Sequence, residues 1–382
     1  MKKIIAASDS FKGSLGSMDV ARAIERGVHR VFDSCRVHRI AIADGGEGTV
    51  QALVDSLHGE VIAVRVHDPL MRPVEALYGI VDHGRTAVIE MAAASGLPLL
   101  AEGERNPMTT TTRGTGEMMV DALRRGCRRL LIGIGGSATN DGGTGMLEAL
   151  GLRMLDGKGN ALPGTGASLA GIESIDSSGA LEELAGVEIV VACDVANPFY
   201  GPSGAAHVFA PQKGATAPMV EQLDGGLRRF AGVVERTFGI DVQSIPGAGA
   251  AGGLGGALAA VLGARMMPGI DMVLEATGFA DLLEGADLVI TGEGRVDAQT
   301  AMGKAPSGVL RAARRAGVPV IAIGGEVERS AALDGEGFAG VFPILPGPST
   351  LARAMEPEFA AANIERTVMQ LMIFARNICS RQ

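Results

Sequence analysis

The sequence predicts an α/β protein in two domains, built on a largely parallel sheet. Three observations carry this. Short apolar runs alternate with helical repeats at the start of the chain, and the alternation returns near the end. Strand after strand also runs out into a glycine-rich loop bearing Ser, Thr, Asp or Glu. In parallel sheets such loops stand at the carboxyl ends of the strands, where ligands bind. At 382 residues the chain exceeds one ordinary domain of about 150 residues. Its 47% hydrophobic content supplies ample core, and its 56 glycines are roughly twice the usual share of about 7%.

The elements follow in order. Lys3 to Ala7 is a short apolar strand, and Met18 to Phe32 repeats apolar residues at helical spacing with Ser17 as the expected N-cap. Val37 to Ile42 is a strand ending in ADGGEGT, and Thr49 to Leu57 is helical. Val61–Val66, Val74–Val81 and Thr86–Met91 are β-rich with short polar connections, which predicts an antiparallel meander. A helix over Gly116–Arg125, a strand over Leu130–Ile134 and a helix over Thr144–Leu150 come next, then a strand over Glu188–Cys193 and a long helix over Met219–Phe238. Near the end the spacing predicts strands at Leu288–Thr291, Pro319–Ile323 and Val341–Leu345. Helices are expected at Ser307–Ala316 and Phe359–Asn377. The simplest architecture is an open parallel sheet made from residues 1–64 and 285–382, with 65–284 inserted as a second α/β domain.

Composition excludes several classes. A net charge of −9 opposes nucleic-acid binding, and the absence of Trp with only two Tyr removes base-stacking platforms. Cys35, Cys127, Cys193 and Cys379 are far apart, without metal-ligand spacing, as expected of reduced thiols in a cytoplasmic protein. The apolar run Ile4 to Ala7 is too short for a signal-peptide core, which needs about 7–15 residues. The uncharged segment Val242–Ala264 is Gly/Ala-rich and reads as a glycine loop feeding a buried helix, so no membrane span is expected. The six histidines show no ligand spacing, and a homodimer is left open as the assembly.

Five loops share one form: SDSFKGS, ADGGEGT, GGSATNDGG, CDVANPFYGPSGA, and TGEGRVDAQT with MGKAP behind it. Converging on one cleft, they would suit a phosphorylated ligand with a divalent ion. Gly133 to Ala138 fits GxGxxA, and Gly247, Gly249 and Gly252 fit GxGxxG, but the second lacks a preceding strand and such matches arise easily in a glycine-rich chain. Neither a Walker loop nor a GxSxG elbow is present.

Together SDSFKGSL, ADGGEGT, GIGGSATNDGG, the CDVANPFYGPSGAA and FAPQKGA blocks, GAGAAGGLGGAL and DLVITGEGRVDAQT with GK behind it resemble the bacterial glycerate kinase family of the tartronate and glyoxylate pathways. The match spans nearly the whole chain, in the family's order. The resemblance implies ATP-dependent phosphorylation of D-glycerate, at the 2-hydroxyl, with Mg2+. It also implies a flavodoxin-like domain, an inserted restriction-endonuclease-like domain, and an active site in the cleft between them. Two rival readings stand: an NAD(P)-dependent oxidoreductase of a small hydroxy acid, and a non-catalytic small-molecule binding protein.

Phosphoryl transfer needs cations on the moving group, a metal bridging its oxygens and an oriented hydroxyl. Lys12 is expected on the phosphate as a catalytic cation, with Asp9 and Ser10 beside it toward substrate; the alternatives are a solvated lysine and turn caps. Asp44 and Glu47 flank Gly45-Gly46 and can share a metal with Glu293. Asp141 either caps the next helix or faces the cleft as a metal ligand or as the base, and Asp194, at the end of VVACD, is the second candidate for base or metal ligand. Gly135, Gly136, Ser137, Thr139 and Asn140 would cradle phosphate, with Lys213 and Lys304 reaching it. Arg295 can grip the glycerate carboxylate bidentately or pair within its loop with Glu293 or Asp297, and Arg113 is a weaker carboxylate candidate.

Overall fold

The computed structural model describes residues 1–298, 300, 304–328 and 335–379. Its strands are β1 (Lys3–Ser8), β2 (Arg36–Ala41), β3 (Glu60–His67), β4 (Pro73–Val81), β5 (Thr86–Glu90), β6 (Arg129–Gly133) and β7 (Arg153–Leu155). They continue with β8 (Ser174–Asp176), β9 (Glu188–Ala192), β10 (Arg265–Met267), β11 (Leu288–Val296), β12 (Val320–Val327) and β13 (Gly340–Pro343). The protein is a mixed α/β chain in two compact units. The first comprises Met1–Asp44, Asp55–Leu57 and Val273–Gln382; the second comprises Gly45–Val54 and His58–Met272. These limits differ from 64 and 285: β3 pairs antiparallel with β4, Val64 opposite Ala76, so the chain joins the second unit from His58 onward.

The first unit holds a parallel sheet in the order β13-β12-β11-β1-β2. Ile4 to Ala7 of β1 are wholly buried, as a central parallel strand covered on both faces requires. Its core gathers Ile4, Ala6, Leu288, Ile290 and Ile323 from the sheet with Ile24 and Val28 of the helix Ser17–His29 and Ile364 and Val368 of the helix Pro357–Cys379. Gly16, not Ser17, is the N-cap of the first of these helices; the Ser17 hydroxyl instead donates to Ile42 O at 3.1 Å. β11 runs past Thr291 to Val296, because Glu293, Arg295 and Val296 keep parallel partners in Gly324, Glu326 and Val327 of β12. Most of the TGEGRVD stretch, expected as a loop, is therefore strand. Gln299, Met302 and Gly303 of the following motifs lie outside the described residues.

The second unit holds a sheet in the order β10-β9-β6-β5-β4-β3. The meander β3-β4-β5 is antiparallel, and β5, β6, β9 and β10 are parallel, with Ile89 beside Ile132 and Ile132 beside Val191. Tyr78, Phe199 and Phe230 are the largest apolar groups fully buried in its core, and the Tyr78 hydroxyl donates to Asp121 Oδ2 at 2.7 Å. The uncharged segment after Val242 folds as expected, with a glycine loop followed by the buried helix Leu254–Ala260. At Gly252 (φ +70°) a Cβ would lie 2.1 Å from Thr139 O, so two glycine motifs, 247–253 and 133–143, pack backbone to backbone. The GxGxxG pattern is backing for the other loop. No described helix is long and apolar enough to cross a membrane.

Candidate active site

In the first unit β2 lies to one side of β1, while β11, β12 and β13 extend to the other, so strand order reverses between β1 and β11. The carboxyl ends of parallel strands splay apart at such a reversal and leave a crevice. Asp9 follows β1 directly, and Glu293 follows Gly292 on β11. Gly292 O accepts from the Asp9 backbone N–H and from the Ser8 hydroxyl, both at 2.9 Å, which sets the two carboxylates side by side on neighbouring strands. A cavity of about 610 Å3 opens there.

Seven of the sequence-predicted residues line this cavity: Asp9, Ser10, Lys12, Asp44, Glu293, Arg295 and Lys304. Burial pushes the Asp9 carboxyl up to about 6, with Asp44 adding to the rise; the Ser10 N–H, donating at 2.6 Å, and Lys12 act against it. Burial also raises Glu293, against a hydrogen bond from the Thr300 hydroxyl and the charge of Lys304. Lys12 is exposed at the tip of the turn Phe11–Leu15, whose end residues exchange backbone hydrogen bonds of 2.9 and 3.0 Å. Lys304 is the N-cap of the helix Ala305–Arg315 and stands 4.0 Å from Asp297. Arg295 is more than half exposed and lies 3.6–3.9 Å from Asp297, Glu326 and Glu328.

The other candidates belong to the second unit. Asp141 is wholly buried. Its carboxylate accepts from Thr112 N at 2.8 Å, Thr112 Oγ1 at 2.7 Å, Gly143 N at 3.0 Å and Gly145 N at 3.2 Å. That is the helix-capping alternative, extended to anchor the TTTT segment, and it leaves Asp141 no surface for an acceptor hydroxyl. Burial raises its pKa against those four donors. Lys213, expected on phosphate, is also corrected: it is 1% exposed, and its Nζ donates to Ser137 Oγ at 2.6 Å and Thr139 O at 2.7 Å. Burial pushes its ammonium down to about 7, against the nearby Asp141 charge.

Of the expected phosphate cradle, Gly135 and Gly136 are exposed, whereas Ser137, Thr139 and Asn140 are buried. Asp194, expected as a buried charge, is exposed and accepts from Gly269 N at 3.0 Å. Glu47 is exposed as well. Arg113 is engaged by Glu117 at 3.2 Å and Glu148 at 2.7 Å, so its fork already holds two internal carboxylates.

Residues 4–376 match the model of the glycerate kinase family. The chain belongs to the glycerate kinase family. It is 51% identical over 370 residues to a glycerate kinase of Bacillus subtilis (strain 168), covering 97% of this chain and 96% of that one. It is 43% identical over 372 residues to a glycerate 2-kinase of Escherichia coli (strain K12), covering 96% and 98%. The crystal structure of a putative glycerate kinase 2 from Salmonella typhimurium LT2 superposes with a TM-score of 0.91 at 44% identity over 99% of both chains.

In this glycerate kinase the cavity also has lining residues that sequence reading missed: Phe11, Ile344, Leu345, Ser349, Leu351 and Met355. The available signal was PGPST, a turn-rich run at the carboxyl end of β13, on the same edge of the sheet as Asp9 and Glu293. Among the described residues no three His, Cys, Asp or Glu gather into a ready-made metal cage. The donor set still fits Mg2+, which keeps several waters and enters such sites through one or two carboxylates and the nucleotide's phosphates. Asp44 and Glu293 are the acids placed to hold it.

Proposed function

We propose that this kinase transfers the γ-phosphoryl group of ATP to the 2-hydroxyl of D-glycerate, with Mg2+, in the cavity of the first unit. The observation that carries the reading is the pairing of Asp9 and Glu293 at the reversal of strand order, inside a cavity that also presents Lys12, Lys304 and Arg295. Bound Mg2+ would neutralise charge on the phosphate oxygens.

The residues divide the work. Asp9, with its carboxyl raised to about 6, is ionised at neutral pH yet basic enough to accept a proton, as a general base requires. It takes the proton of the 2-hydroxyl as that oxygen bonds to the γ-phosphorus; the bond from the γ-phosphorus to the bridging oxygen breaks, and ADP leaves with the electron pair. Lys12 and Lys304 meet the phosphate oxygens, and the helix Ala305–Arg315 adds its N-terminal dipole. Arg295 receives the glycerate carboxylate. The three acids near it stand at 3.6–3.9 Å, beyond good hydrogen-bond length, so they hold the guanidinium in place without using up its fork.

The test is a divided coupled assay with purified protein, Mg-ATP and D-glycerate. A signal with enolase alone indicates 2-phosphoglycerate. A signal that appears only when phosphoglycerate mutase is added indicates the 3-phosphate, and no ADP release in either overturns the reading.

A further inference from the structure

Resting on the reading of ATP as the donor, we infer that the apolar lining of the first unit's cavity seats the nucleoside of ATP, so that this unit holds the whole donor. The cavity lining is of two kinds. Asp9, Lys12, Asp44, Glu293 and Lys304 bring charge, and Phe11, Ile344, Leu345, Leu351 and Met355 bring apolar surface. A ligand that satisfies both carries a flat apolar body on an anionic tail. D-glycerate has no apolar face, and about 610 Å3 is far more than a three-carbon acid fills, yet it is within the range of sites that enclose larger ligands.

Exposure points the same way. Leu351 is 75% exposed and Met355 36% exposed, although both line the cavity. They are held up by the short helix Leu351–Ala354, whose cap residue Thr350 accepts from Arg353 N at 3.3 Å. Covering such groups with a purine removes apolar surface from water, which is the main source of affinity for a nucleobase. Met355 joins the two kinds of lining: a Cβ at Gly13 (φ +76°) would lie 2.5 Å from Met355 Cε, so the methionine rests on the turn that carries Lys12. A base against Leu351 and Met355 therefore lies next to that turn, whose Lys12 lines the same cavity as Lys304.

The experiment uses the full chain with Leu351→Asp and Leu351→Met. At 75% exposure the site tolerates either residue in the fold. Calorimetric titration with ADP, adenosine and inorganic tripolyphosphate separates the two kinds of lining. For Leu351→Asp the Kd for ADP and adenosine is expected to rise about tenfold or more, with tripolyphosphate unchanged and Leu351→Met close to wild type. In turnover, KM for ATP rises while KM for D-glycerate stays within about twofold. Unchanged ADP and adenosine binding in Leu351→Asp, or a rise in the D-glycerate KM in place of the ATP KM, overturns the inference. Failure of the kinase reading looks different: wild-type protein would release no ADP with D-glycerate, whatever adenosine does.

Discussion

Asp9, just past the end of β1, and Glu293, within β11, stand side by side, tied through the hydrogen bond from Asp9 N to Gly292 O. Burial holds both carboxyls above their ordinary range, and the charge of Asp9 adds to the rise at Glu293. Asp9→Asn keeps the shape and removes the base, so kcat should fall about 10²-fold or more in the coupled assay. Its melting temperature should not fall. A carboxyl raised from 3.8 to about 6 by burial costs stability as pH climbs through that window, and the amide relieves the cost. An Asp9→Asn variant with wild-type turnover would move the base elsewhere.

The same shift sets an acid limb. Burial is the main cause of the rise at Asp9; of the charges facing it, Asp44 adds to the rise and Lys12 opposes it, while Asp9 in turn raises Glu293. In wild-type protein kcat/KM, which reports the free enzyme, should drop with unit slope below a pH of about 6. A flat profile down to the ordinary carboxylate range contradicts Asp9 as base.

Asp141→Asn tests the opposite assignment. Its carboxylate is enclosed by four donors, so the substitution should cost about 1–3 kcal/mol of unfolding free energy, read from the denaturant midpoint. The folded fraction should keep most of its kcat. A stable variant with kcat down about 10²-fold would restore Asp141 to the chemistry.

Lys213 gives a pH signature in stability. Its ammonium is pushed from 10.5 down to about 7, so between those values the unfolded chain holds a proton that the folded chain has shed. Stability should therefore rise with pH across that window, by on the order of 1.4 kcal/mol per unit, relative to a Lys213→Met variant. Parallel unfolding curves for the two proteins at pH 7 and pH 9.5 would show that burial does not shift this lysine.

Gly252→Ala should be severe for a short substitution. The added Cβ meets Thr139 O at 2.1 Å and the backbone is left-handed at φ +70°. A loss of more than about 2 kcal/mol in urea unfolding is expected.

Much of this was legible beforehand. The period-two alternation of Val61–Val66 and Val74–Val81 announced the meander, and the uniformly apolar Ile4–Ala7 announced a doubly covered strand. Asp44 and Glu293 could be singled out because each sits just past an apolar run, Lys12 because it lies in the loop four residues past the first strand, and Lys304 because it follows a glycine. Asp141 could not be assigned, because an acid before Gly-Gly serves equally well as a cap or as a cleft ligand. Lys213 misled for a related reason: nothing local marks a lysine whose ammonium is enclosed by Ser137 and Thr139 from a distant loop. Leu351 and Met355 were signalled only by the turn-rich PGPST before them, since an exposed apolar pair is ordinary until a cavity is seen behind it.

By itself the sequence determined the class of fold, its glycine loops at strand exits and, through its ordered motifs, its family, because periodicity and backbone permissiveness are properties of adjacent residues. Only the tertiary structure decided which acids reach open space and which are walled in. Exposure, pKa and partnership depend on segments nearly three hundred positions apart, as Asp9 and Gly292 are, and no local pattern encodes where they meet.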